Sequence, residues 1–173
     1  MSFGKITRPR VLFAGIVCLF AACMMLSAAA AQEGKTGASG STAAPDFELP
    51  DLNGSNVVLS VYKGQKPVLI YFWATWCPHC MEVRPAVINL RKEIAPGDLE
   101  VLAINVGGGD SLARVKRFEE AHPAPYTVLY DSEGKTARIF KVQGIPHFIL
   151  IDKKGAVKYS GNQLPSNLMA LLK

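Results

Sequence analysis

Val68-Leu69-Ile70-Tyr71-Phe72-Trp73-Ala74-Thr75-Trp76-Cys77-Pro78-His79-Cys80 is the stretch whose reading decides the fold. Its first six residues are an unbroken apolar run, the pattern of a buried strand. A short turn follows, and then a C-x-x-C. Residues 81–94 next carry apolar side chains at Met81, Val83, Ala86, Val87, Leu90 and Ile94, a helical stripe. The two cysteines therefore sit where a strand hands over to a helix. A helix N-terminus offers unpaired N–H groups and the positive end of the dipole, and both favour a thiolate. Pro78 suits the first helical position, where no N–H is required. Cys77 then lies at the helix start, exposed and nucleophilic, with Cys80 one turn on and close enough to form a reversible Cys77–Cys80 disulfide. His79, between them, is placed to donate to the Cys77 sulfur. Thiols in such settings fall from about 8.5 to roughly 3.5–7.5. Stabilising the thiolate stabilises the reduced form and makes the couple more oxidising.

Other uses of two cysteines fit less well. Structural zinc needs four ligands, no second C-x-x-C is present, and His122 and His147 lack ligand spacing, so no metal is expected. Covalent haem attachment needs C-x-x-C-H, and here Met81 follows Cys80. A two-residue spacing at a helix start favours an exchangeable bond over an inert staple.

The run Phe72-Trp73-Ala74-Thr75-Trp76-Cys77-Pro78-His79-Cys80 resembles the active site of the thioredoxin superfamily. Pro45-Asp46-Phe47-Glu48-Leu49, Asp51-Leu52-Asn53-Gly54 and Gly144-Ile145-Pro146-His147-Phe148-Ile149-Leu150-Ile151-Asp152 resemble its TlpA/ResA branch of extracytoplasmic thiol–disulfide oxidoreductases. The resemblance implies an α/β thioredoxin fold, a central mixed sheet flanked by helices, with an N-terminal β-hairpin and a central strand–helix insertion. It also implies a cis Ile145–Pro146 bond facing the dithiol. The exposed Ile145 backbone would pair with an extended substrate as an added strand, and Trp76 would be an exposed docking platform beside Cys77. Trp73 is expected in the core.

The chain of 173 residues is 49% hydrophobic, enough for one core. Its formal charge is +5, of which Lys5, Arg8 and Arg10 supply three within an acid-free first 31 residues, leaving +2 for the rest. That balance, with no basic patch interleaved with aromatics, argues against a nucleic-acid partner. Residues 1–31 read as an export signal: a basic head, an apolar stretch and Ala29-Ala30-Ala31 before Gln32. An uncleaved membrane anchor and a lipoprotein with Cys23 remain alternatives. All three place the domain in the periplasm or another extracytoplasmic compartment, where disulfides persist. Residues 32–43 form a Gly/Ser/Thr/Ala-rich linker, and 44–173 the thioredoxin-like domain, expected to be monomeric.

Along that domain, 47–49 and 57–59 are strand candidates around an Asn-Gly turn, a hairpin to cap the sheet edge. Pro85 falls inside the active-site helix and is expected to kink it. A strand at 101–106 leads into Gly107-Gly108-Gly109-Asp110-Ser111. No Gly-Lys-Ser/Thr follows, so this is a tight turn with Asp110 or Ser111 as a helix N-cap. Residues 112–122 form an amphipathic helix whose Arg114, Lys116, Arg117, Glu119 and Glu120 read as a solvated face. A strand at 126–130, a short helix at 133–140, strands at 147–152 and 156–160, and a closing helix at 165–172 complete the expectation.

Two positions depart from the family pattern. Thioredoxin carries a buried Asp six residues before its first active cysteine, where this chain has Tyr71, and many TlpA/ResA-like proteins carry a Glu where it has Val83. Proton transfer to and from Cys80 then falls to His79, water or Glu82, and resolution by Cys80 is expected to be slower. Pro78-His79 resembles the active-site dipeptide of the strong oxidant DsbA, which implies a more oxidising couple. His147 is expected either to steer substrates and tune Cys77 or to face solvent. The resulting expectation is a protein thiol–disulfide oxidoreductase, with roles in cytochrome c maturation or in disulfide formation and repair. It would need no cofactor beyond the cysteine pair and would exchange electrons with a membrane or periplasmic redox partner. The alternatives are a peroxiredoxin-like thiol peroxidase, against which the T-x-x-C signature is missing, and a redox-dependent binding module.

Overall fold

The structure, a computed structural model, describes residues 42–172. The leader assigned to 1–31 and nearly all of the linker at 32–43 lie outside the described residues. Among the described residues no helix is long and apolar enough to cross a membrane.

The elements run β1 (Glu48–Pro50), β2 (Asn56–Val58), β3 (Val68–Trp73), α1 (Pro78–Glu93), β4 (Glu100–Asn105), α2 (Leu112–Ala121), β5 (Thr127–Tyr130), α3 (Lys135–Ile139), β6 (His147–Ile151), β7 (Val157–Gly161) and α4 (Leu168–Leu171). Five strands form a mixed sheet in the order β5-β4-β3-β6-β7. β3 is its centre, parallel to β4 on one side and antiparallel to β6 on the other. Every residue of β3 is buried, which is why its sequence shows no alternation: both faces are covered. The fold is the thioredoxin fold, and β5 followed by α3 stands where one extra strand–helix unit is expected.

Alternate residues of β3 serve two cores. Leu69, Tyr71 and Trp73 pack with Cys80 and Val87 of α1, Val115 of α2 and Leu168 of α4. Val68, Ile70 and Phe72 pack on the opposite face with Phe47, Leu49 and Phe140. β1 and β2 pair as the expected hairpin, and Asp51 bridges to Leu129 at the β5 edge.

Four expectations need correction. The closing helix spans only Leu168–Leu171, after a turn at Asn167 that makes no side-chain cap. The buried face of α1 is Cys80, Arg84 and Val87, while Ala86 is exposed. A charged residue thus occupies the face that an apolar count assigns to neighbours. Its partner is Glu119, read from sequence as solvated but only 11% exposed at its side chain. Arg84 Nη1 and Nη2 donate to the two Glu119 carboxylate oxygens at 2.9 and 2.8 Å, and Nη2 also to His122 O at 2.6 Å. Trp73, Phe118 and Tyr126 surround the guanidinium with ring centroids 5.1–5.6 Å away, so the charge is satisfied on its edge and its faces. His147, finally, is buried rather than solvent-facing. It pairs in register with Phe72, so it points to the face opposite Tyr71 and Cys80, and its Nε2 lies 2.9 Å from Ser160 Oγ.

Candidate active site

Cys77 is the N-cap of α1, with extended backbone angles, and Pro78 follows at the first helical position. The turn before it closes through Cys77 N–H to Ala74 O at 3.3 Å. The Cys77 sulfur accepts the backbone N–H of Cys80 at 3.1 Å. This is the cap bond that Ser or Asp oxygens make elsewhere, here directed at sulfur. Together with the helix's positive end it stabilises negative charge on Cys77 Sγ. Cys77 and Cys80 are joined as a disulfide with Cα atoms 5.3 Å apart. In this state Cys77 is 5% exposed and Cys80 not at all. Cys77 is thus buried rather than exposed as its place at the helix start suggests.

The Ile145–Pro146 bond is cis, and Ile145 O lies 3.7 Å from Cys77 Sγ. The Gly144-Ile145-Pro146 turn is thus seated against the sulfur. Asn162, unnoticed in the sequence, holds this turn from behind: its Nδ2 donates to Pro146 O at 2.9 Å and to Gly144 O at 3.3 Å. No sequence signal marks Asn162, because it follows an edge strand and its targets are backbone carbonyls. Trp76 is 51% exposed, yet its indole Nε1 donates to Gly108 O at 2.7 Å. Trp73 is fully buried.

His79 turns outward. Its Nδ1 lies 2.8 Å from Glu82 Oε2, with both side chains well exposed, so the imidazole is engaged with the neighbouring turn of its own helix. Tyr71, in place of the buried acid, stacks on Phe148 at 5.1 Å and donates its hydroxyl to Cys80 O at 2.8 Å. Burial, then the neighbouring Tyr126, push its phenol well above the ordinary tyrosine value. Val83 packs against the core.

In the loop after β4 the two candidate caps, Asp110 and Ser111, take different roles. Ser111 caps α2, accepting Arg114 N–H at 3.2 Å. Asp110 turns the other way, and its fully buried side chain accepts Thr75 N–H at 2.8 Å, Thr75 Oγ1–H at 2.5 Å and Asn105 Nδ2–H at 2.8 Å. Gly107 permits the loop's path. Its φ is +73°, and a Cβ there would meet Asp131 O at 2.4 Å.

The AhpC/TSA family model matches residues 41–160. The thiol–disulfide oxidoreductase ResA of Geobacillus kaustophilus is 35% identical over 124 residues, 72% of this chain and 70% of that one. A Chlorobium tepidum crystal structure assigned to the thiol:disulfide interchange protein DsbE superposes with a TM-score of 0.68 at 29% identity, covering 77% of this chain and 97% of that one. The exposed lipoprotein thioredoxin of Streptococcus pneumoniae gives a TM-score of 0.65 at 31% identity, covering 73% and 98%. With a strand-to-helix cysteine pair facing a cis-proline turn, this chain belongs to the AhpC/TSA family, in the thioredoxin-fold branch of ResA-like thiol–disulfide oxidoreductases.

Proposed function

We propose that the protein exchanges its Cys77–Cys80 couple with cysteines of other proteins outside the cytoplasm. The observation that carries this reading is the Cys77 sulfur itself. It caps α1, accepts the Cys80 N–H and faces the Ile145 carbonyl. In the reduced protein the Cys77 thiolate attacks one sulfur of a client disulfide. The client S–S bond breaks, its departing sulfur takes a proton, and Cys77 is left in a mixed disulfide. Cys80 loses its proton and attacks Cys77 Sγ. The client's second sulfur leaves as a thiolate, reduced by two electrons in all, and the Cys77–Cys80 bond re-forms. Reversed, the same steps oxidise a dithiol client. Pro78 starts the helix that polarises the sulfur, and His79 stands on its first turn, facing Glu82. Ile145 and Pro146 offer backbone to an extended client strand, with Trp76 as the flanking wall.

The cysteine pair carries both electrons without a further cofactor, and a membrane or periplasmic redox partner resets it. Residues 1–31 act as the export leader or as a tether for a monomeric domain. The extracytoplasmic setting is supported by that leader pattern and by the likeness to an exposed lipoprotein thioredoxin. The test is trapping with Cys80→Ser, which leaves mixed disulfides stalled on Cys77 for identification by mass spectrometry. Apocytochromes c among the trapped clients mean a role in cytochrome c maturation, and diverse exported proteins mean disulfide formation or repair. An absence of any trapped protein overturns the proposal. The alternative, a thiol peroxidase, is suggested only by the β1–β2 hairpin, which peroxiredoxins share and which does not choose between the two. Peroxide consumption outpacing disulfide exchange would favour it.

A further inference from the structure

We infer that Asp110 is a positioning residue for client recognition. It acts through the Thr75-Trp76 turn, and it rests on the exchange function proposed above. A carboxylate with a fully buried side chain is costly unless donors surround it. Asp110 has three: the Thr75 backbone N–H, the Thr75 hydroxyl and the Asn105 amide, at 2.5–2.8 Å. Arg114, 55% exposed at its side chain and 3.9 Å away, adds a weak fourth contact. The acceptor is therefore spent mainly on one residue of the turn that delivers Cys77.

The consequence falls on Trp76. Thr75 is held by Asp110, Cys77 by the helix cap, and the Trp76 indole by Gly108 O at 2.7 Å, two residues before Asp110. Tyr130 braces the same loop by donating its hydroxyl to Asp110 O at 3.2 Å. Gly109 leaves room for the indole, since a Cβ there would lie 3.0 Å from Nε1. A half-exposed tryptophan beside a reactive sulfur is thus fixed at both its backbone and its ring. Fixing it in advance removes the ordering cost a client would otherwise meet on binding. A protein client touches Trp76 as well as the sulfur. A small disulfide needs the sulfur alone.

The test compares turnover of insulin, a protein disulfide, with turnover of oxidised glutathione, the Cys77–Cys80 pair being kept reduced by excess dithiothreitol and the uncatalysed rate subtracted. Asp110→Asn keeps the shape but puts an amide N–H₂ among donors. The expected result is a KM for insulin raised about tenfold, and a loss with insulin at least fivefold greater than with glutathione. In a Trp76→Ala background Asp110→Asn should cost little more, because both changes remove the same wall. Equal losses on the two substrates, additive losses with Trp76→Ala, or wild-type behaviour each overturn the inference. If Asp110→Asn does not fold, Thr75→Val, which removes only the hydroxyl donor, is judged by the same criteria. A wild-type protein that reduces neither substrate overturns the proposed function rather than this role alone.

Discussion

Tyr71 donates its hydroxyl to the carbonyl oxygen of Cys80 at 2.8 Å, so the site of the missing buried acid holds a hydrogen-bond donor to the active-site helix. Its phenol is raised by burial, and it therefore keeps its proton throughout the neutral range. Tyr71→Phe should cost about 1 kcal/mol of stability, the net worth of one buried hydrogen bond. It should leave the pH profile of disulfide exchange between about pH 6 and 8 unchanged, since a group that titrates far above that window is not the base. Urea unfolding and stopped-flow exchange rates measure the two effects. A shifted profile would assign Tyr71 a proton-transfer role.

Arg84 and Glu119 are buried together, and breaking such a pair leaves a lone charge. Glu119→Ala should destabilise by about 3–5 kcal/mol. Replacing both partners, as Arg84→Met with Glu119→Leu, should recover most of that loss, because no charge is left unpaired. Denaturant midpoints of the two variants give the comparison. Similar losses in both would mean that packing against Trp73 and Phe118 dominates.

His147 is held below the ordinary histidine value by burial. The unfolded chain therefore binds its proton first as pH falls. The stability His147 contributes is complete above the unfolded value near 6.5 and is lost as pH drops through the lower folded value. The wild-type melting temperature should fall between about pH 7.5 and 5 more steeply than that of His147→Gln. Parallel curves would show that His147 does not titrate differently on folding.

The Pro78-His79 dipeptide is expected to make the couple more oxidising than thioredoxin's, about −270 mV. Equilibration with glutathione, read by mass shift after alkylation, gives the potential. A value at or below thioredoxin's would mean that His79, turned toward Glu82, does not tune the sulfur. Glu82→Gln should then be silent as well.

The strand, the turn and the cysteine-capped helix were legible along the chain, and the cis Ile145–Pro146 turn facing the dithiol followed from the family resemblance. The first three depend on neighbours within one or two turns: an unbroken apolar run, a C-x-x-C and a proline at a helix start. What remained hidden depends on partners distant in sequence. Arg84 meets Glu119, and Thr75 meets Asp110, each across 35 residues. Periodicity assigns a charged side chain to the surface because it cannot see a partner arriving from another helix.

The residue order by itself therefore determined that a dithiol would sit at the end of a buried central strand, because local propensity and hydrophobic pattern act over short spans. Only the tertiary structure decided the supports of that site: which face His147 takes, which charges are buried as pairs, and which residues hold Trp76 and Ile145 beside the sulfur. The reason is physical. Burying a charge or aiming a carbonyl becomes favourable only after folding has brought α2 against the active-site helix, the loop after β4 against the cysteine turn, and the end of β7 against the Ile145–Pro146 turn.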